Sequence, residues 1–377
     1  MKEIVQSLRE KKVEYLELIY DLIFVYIIGR NNSLLIVSEG EFITGERFAA
    51  YFLATLAVIQ IWSFSTFYTN MFGRNGVRDH VFMFLNMYLL YYIGEATHSG
   101  WESYHTQYHI AWALILVNIG AQYLIEMRHH RDDPDVIRTI RRMGIVLFSE
   151  AALVVAALFL PMGSSVIPIL FGIGMTAFFA DDRKITLIDF SHLSERIMLY
   201  VVFTFGEMII AVAGYFEGAF TLRSFYFSLM GFLIIVALFL SYEMLYNHII
   251  DRELRTTGVM YMLIHIFLIF SMNNLTVALE FMRKEEVSLM PKTLFLVGSF
   301  LLFFVCLIAL MRYSKSTMKL CRRFLLPVIG LTVGFVAAML IFREHMVVNI
   351  LLSVVYVFGM FLRFYLYGTR PNNPSSS

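Results

Sequence analysis

The chain has 377 residues, 59% of them apolar and only 16% charged, with a mean hydropathy of +0.69. Soluble domains carry about 25% charged residues, so a soluble globular fold is excluded. The formal net charge of +1 provides no basic footprint for a nucleic acid, and two cysteines, Cys306 and Cys321, make no disulfide framework.

A helix needs roughly 20 mostly apolar residues to cross a bilayer. Such stretches run at 14–32, 48–72, 78–98, 106–126, 140–160, 163–180, 195–215, 222–247, 257–280, 291–312, 324–342 and 345–367. The expectation is an all-α polytopic membrane protein of about twelve transmembrane helices, with the lipid bilayer as its main partner. Tight hairpins are expected around Pro161 to Ser165 and around Arg343 to His345. The first is forced, because about 40 continuous helical residues would be twice the bilayer thickness. The first apolar stretch is broken by acids and followed by no small-residue cleavage site, so no cleavable signal peptide is expected.

Twenty-three of the 30 Lys and Arg residues fall on the alternate segments that include both termini. Cytoplasmic loops carry such an excess, which predicts cytoplasmic N- and C-termini. The middles of spans one to six lie about 180 residues before those of spans seven to twelve. The longest basic loops, Arg128 to Arg142 and Arg312 to Arg323, also correspond. Six is even, so both halves would enter the membrane the same way, as parallel repeats. This divides the chain into repeats at 1–190 and 191–370, with a disordered tail at 371–377.

Acids, but no Lys or Arg, stand at span midpoints. In span one, Glu14, Glu17 and Asp21 are three and four residues apart and share a helix face. Such acids in lipid need a cation, a proton or an arginine partner, so the group reads as a cation or proton site or as a tether to Arg196. Between spans three and four lie Glu95, His98, Glu102, His105 and His109. His105 and His109 have the spacing of a metal pair on a helix, but no third ligand pattern is near. The segment reads as an interfacial loop, and no metal or cofactor is expected. Span five holds Glu150. Span seven begins with His192, Glu195 and Arg196, whose role is structural pairing with Glu17 or Asp21. Deeper in that span, Gly206 would let a neighbouring helix approach. Beside it, Glu207 has no base on its own helix within about two turns and is a proton-carrier candidate. Glu243 in span eight and His265, Asn273 and Asn274 in span nine are further polar groups that need partners inside a bundle.

Two stretches carry a family resemblance. ELIYDLIFV, Glu17 to Val25, resembles the opening signature of the bacterial low temperature requirement A family. His192, Glu195 and Arg196, followed by Gly206 and Glu207, resemble its second signature. Ile19 and Tyr20 depart from two usual aromatics, and Ile197 and Met198 from a usual His-Gly pair, while the charged positions match. The resemblance implies a multi-pass protein of the bacterial cytoplasmic membrane and no molecular mechanism. Trp62 at the end of span two and Asn86 early in span three are also similar to positions in six-helix-repeat potassium channels.

The function expected from the residues is conduction or transport of a small cation or protons, along a path lined by spans one and seven. Glu17, Asp21, Glu195 and Glu207 would lie on that path, and a homodimer is compatible with it. Two other classes stay open. One is a membrane enzyme or lipid head-group binder using the acids at the inner interface; the other is a structural or sensory membrane protein. No phosphate loop, zincin helix or nucleophile elbow is present, so catalysis is not expected.

Overall fold

The computed structural model describes residues 11–32, 34–35, 42–98, 101–160, 162–179, 187–216, 221–283 and 288–369. The proposed tail at 371–377 and Pro161 lie outside them. The described residues form α-helices and no strand: α1 (Tyr15–Asn32), α2 (Gly45–Phe72), α3 (Val77–His98), α4 (Trp101–Glu126), α5 (Pro134–Ala157), α6 (Val166–Phe179), α7 (Phe190–Ala213), α8 (Leu222–Met244), α9 (Val259–Arg283), α10 (Leu289–Leu310), α11 (Arg322–Ile341) and α12 (Met346–Gly368). Each expected span corresponds to one of these helices. Among the described residues, eight segments are long and apolar enough to cross a membrane; they are built on α2, α4, α7, α8, α9, α10, α11 and α12. The remaining helices α1, α3, α5 and α6 are more polar or shorter.

Local chemistry sets several boundaries. Asp133 caps α5 by accepting the N–H groups of Asp135 and Val136, and Pro134 supplies the first helical residue without losing a bond. Thr221 and Ser224 cap α8 reciprocally. A 3₁₀ turn at Met162–Ser165 makes the bend between α5 and α6. Pro327 lies inside α11, so the Arg323 carbonyl four residues earlier has no backbone donor. Arg363 of α12 donates to that carbonyl at 3.1 Å.

The chain forms two compact units. The first comprises Met1–Leu35, Gly45–Tyr200 and Arg252–Ile266; the second comprises Ile36–Thr44, Val201–Asp251 and Phe267–Ser377. In the first unit α4 packs along both α3 and α5, and α1 lies against α2 and α3. Gly258, at a φ of +68°, turns the chain into α9, and a Cβ there would lie 2.3 Å from Leu193. In the second unit α12 packs on α8 and α11, with Phe335 and Tyr356 stacked at 4.1 Å.

The helices are turned for lipid. On α1, Ile19 and Leu22 are 53% and 50% exposed, whereas Glu17 and Asp21 are 3% and 0% exposed. On α11, Leu326, Ile329, Val333 and Ile341 face outward. Water would reverse this arrangement, because exposed apolar surface costs about 25 cal/mol per Å² and buried charge costs more. A hydrocarbon surround removes the first cost and leaves the second to be met inside the bundle.

Candidate functional site

The first unit gathers a buried ionic cluster from α1, α2 and α7. Glu17 and Asp21 are one turn apart on α1. His192, Arg196 and Tyr200 follow the same four-residue step on α7, so each set forms a single stripe. The Arg196 side chain is fully buried between the two acids. Its Nη1 lies 3.1 Å from Glu17 Oε2 and its Nη2 lies 3.1 Å from Asp21 Oδ1. The indole N–H of Trp62 also donates to Asp21 Oδ1, at 2.7 Å. The Trp62 ring stacks on Tyr200 with centroids 4.4 Å apart, and the guanidinium carbon lies 6.0 Å from the indole centre. Beside them Asn86 donates to the Tyr20 hydroxyl and accepts from Asn118.

The protonation of His192 follows from its neighbours. Asn70 accepts the Asp189 backbone N–H through Oδ1, which assigns Nδ2 as the donor. That nitrogen donates to the Asp189 carbonyl and approaches His192 Nδ1 at 3.0 Å. Nδ1 must therefore accept, and the ring proton of the neutral imidazole sits on Nε2, 3.5 Å from Glu17 Oε2. The Asp189 carboxylate caps α7 by accepting the His192 N–H. With the Nε2 tautomer of His192, two acids share one guanidinium, one acid more than the cation between them.

A cavity of about 590 Å³ ends at this cluster, lined among others by Lys11, Lys12, Glu14, Glu17, Arg74 and Asp79. Lys11 donates to the carbonyls of Thr69 and Asn70 at the end of α2, where the helix dipole favours a cation. Burial lowers the pKa of its ammonium below the ordinary lysine value, against the pull of Glu17. A second network lies at the same ends of α2 and α4. Fully buried Glu126 is held by Arg78 at 2.5 Å, Arg74 at 3.5 Å and His130 at 3.6 Å.

The other sequence candidates are scattered. Glu195 and Glu207 are half-buried, Glu207 lying in the second unit, and neither has a hydrogen-bond or ion-pair partner among the described residues. Glu95 is exposed and pairs with Arg30 at 3.2 Å, a surface contact worth little. Glu150 is fully buried against Gln60. Glu243 accepts from Asn247 on its own helix. Asn273 and Asn274 are buried in the second unit, and neither amide atom of Asn273 finds a partner.

Among the described residues, a Cβ built on Gly206 meets nothing within 4 Å. The rings of His105 and His109 lie tilted to one another with centroids 4.1 Å apart, and His109 Nδ1–H donates to the His105 carbonyl while its Nε2 accepts from Ser165. That tautomer leaves His109 no lone pair for a metal, and no group of three metal-binding side chains occurs among the described residues.

Sequence reading missed Lys11, Asn70, Asp189, Tyr200 and the Glu126 network. Asn70 had a readable signal, since Ser63, Thr66 and Asn70 continue one polar stripe along α2. Trp62 and Asn86 were marked only through the channel likeness.

No curated protein and no solved structure matches the chain. The model of the bacterial low temperature requirement A protein family does match, over residues 12–360, a range that contains the α1 acids and the α7 basic pair. The chain is a multi-pass membrane protein belonging to the bacterial low temperature requirement A family.

Proposed function

We propose that this protein conducts or transports a small cation or protons, with Glu17 and Asp21 as the cation-attracting groups. The observation that carries the reading is the unequal charge count. Two buried carboxylates share Arg196, His192 presents a neutral N–H, and Glu17 reaches the cavity. An uncompensated charge in a bilayer costs about 2.5–3.5 kcal/mol even on the lenient insertion scale. A mobile cation or proton arriving through the cavity would offset it, with Lys11 at the cavity as the nearest fixed counter-charge. The deciding experiment is ion flux into liposomes holding the purified protein, with protons and alkali cations offered separately. Absence of flux for all of them ends the reading.

Glu195 and Glu207 belong to the same proposal as acids on α7. Because Glu207 has no partner base among the described residues, Glu207→Gln should flatten the pH dependence of flux without loss of fold. Unchanged flux at every pH would assign Glu207 to a structural role.

A second reading has its own support. Lys11, Lys12 and Arg74 line the cavity beside the acids, a mixed-charge surface that suits a phospholipid head group. Lipid retained through purification, together with no flux, would favour it.

The topology is part of the proposal: twelve spans, cytoplasmic termini, and parallel repeats at 1–190 and 191–370. The basic-residue bias and the twelve helices support it. A reporter fused to the C-terminus should be cytoplasmic, and one found outside refutes the orientation. Spans that match between halves only after inversion would end the repeat reading.

A further inference from the structure

Glu150 is an acid that the α1–α7 cluster does not use. Its side chain is fully buried on α5, in the first unit. One carboxylate oxygen, Oε2, receives a 3.4 Å hydrogen bond from Gln60 Nε2 of α2, and the other, Oε1, has no partner. The same Gln60 nitrogen donates to the Ile169 carbonyl of α6 at 3.3 Å, so both amide protons are in use. Among the described residues no Lys, Arg or His from α2, α4, α5 or α6 bonds or ion-pairs with this carboxyl. α6 meets the pair with a glycine: a Cβ on Gly172 would lie 2.0 Å from Glu150 Oε2 and 2.1 Å from Gln60 Nε2. Next to it is a void of about 20 Å³ that Gln60 and Gly172 line with Phe67, Met262 and Ile266; Glu150 does not reach it and its exposed wall is apolar, so it offers a water no partners.

One long hydrogen bond from a neutral amide does not offset the cost of burying a carboxylate. Two ligands could remove the charge, a metal cation or a proton. A metal cation needs about six oxygen ligands, but Gln60 turns its N–H towards the carboxyl, and the neighbouring void is apolar and supplies none. We propose that Glu150 is a second proton-binding site, held as the neutral acid between α2 and α6. This site is separate from the proposed path and stands whether or not Glu17 and Asp21 support flux.

Infrared difference spectroscopy of the full chain in liposomes reads the bound proton directly, because a protonated carboxyl and a carboxylate absorb in separate bands. Wild type minus Glu150→Gln should show loss of one protonated-carboxyl C=O band at neutral pH, with carboxylate bands unchanged. If Glu150→Gln fails to fold, Gly172→Ala is the second variant, because its methyl must displace the Gln60–Glu150 pair and move the same band. Loss of carboxylate bands in Glu150→Gln would overturn the proposal. So would a Gly172→Ala spectrum with every protonated-carboxyl band in place, or a wild-type spectrum with none. None of these readouts depends on flux, so this proposal and the transport reading can fail separately.

Discussion

Replacing Arg196 with methionine should destabilise the protein by about 3–5 kcal/mol, the usual result of removing one partner from a buried ion pair. The cost arises from what stays behind. Glu17 and Asp21 would face each other across one helical turn with no cation between them, and the Trp62 N–H would be the only donor left on Asp21 among those described. A loss of that size is a large fraction of the 5–15 kcal/mol that holds a typical domain together. Thermal unfolding in detergent, followed by retention of the monodisperse peak, measures it. The triple variant Arg196→Met, Glu17→Gln, Asp21→Asn should recover most of the loss, because no buried charge would remain. A single Arg196→Met variant as stable as wild type would show that the cluster is solvated rather than buried.

Glu17→Gln should separate stability from transport. The cluster holds one carboxylate too many for its single guanidinium, so neutralising Glu17 leaves a balanced Arg196–Asp21 pair. The amide oxygen can still accept from Arg196, and stability should change by less than about 1 kcal/mol. Flux should fall much further. A unit charge about 4 Å from a passing cation is worth about 4 kcal/mol at an effective dielectric of 20. Losing a third of that at the barrier slows passage about tenfold. The measurement is proton or cation flux in liposomes at matched protein content. Flux equal to wild type would remove Glu17 from the path. Flux lost together with the fold would mean that Glu17 acts as a tether for Arg196.

The two variants test different aspects of one arrangement. Arg196 allows the acids to be buried, and the surplus acid is the proposed cation-attracting group. His192 links the cluster to the α7 cap through Asn70 and Asp189, so the register of α7 against α2 and the tautomer of the imidazole depend on the same amide. Lys11, donating to the end of α2, is the next charge along the cavity.

The sequence by itself determined the helices and the residues that could not face lipid. Apolar runs of about 20 residues marked each helix to within a few residues, because a helix in hydrocarbon must satisfy its backbone internally along its whole length. The spacing of Glu17 and Asp21 on α1 and of His192 and Arg196 on α7 placed each pair on a single face, because the 3.6-residue period is a local property. Only the tertiary structure decided which faces met. It placed Arg196 between both acids, turned Asn70 so that the His192 proton points at Glu17, and set Gly172 against Glu150. It also left open space at a Cβ built on Gly206, among the described residues, and gave both nitrogens of His109 to hydrogen bonds. These outcomes depend on side chains far apart in sequence, Asp21 and Arg196 above all. No local period encodes such contacts; the need to pair charge where water is absent selects them once the helices have packed.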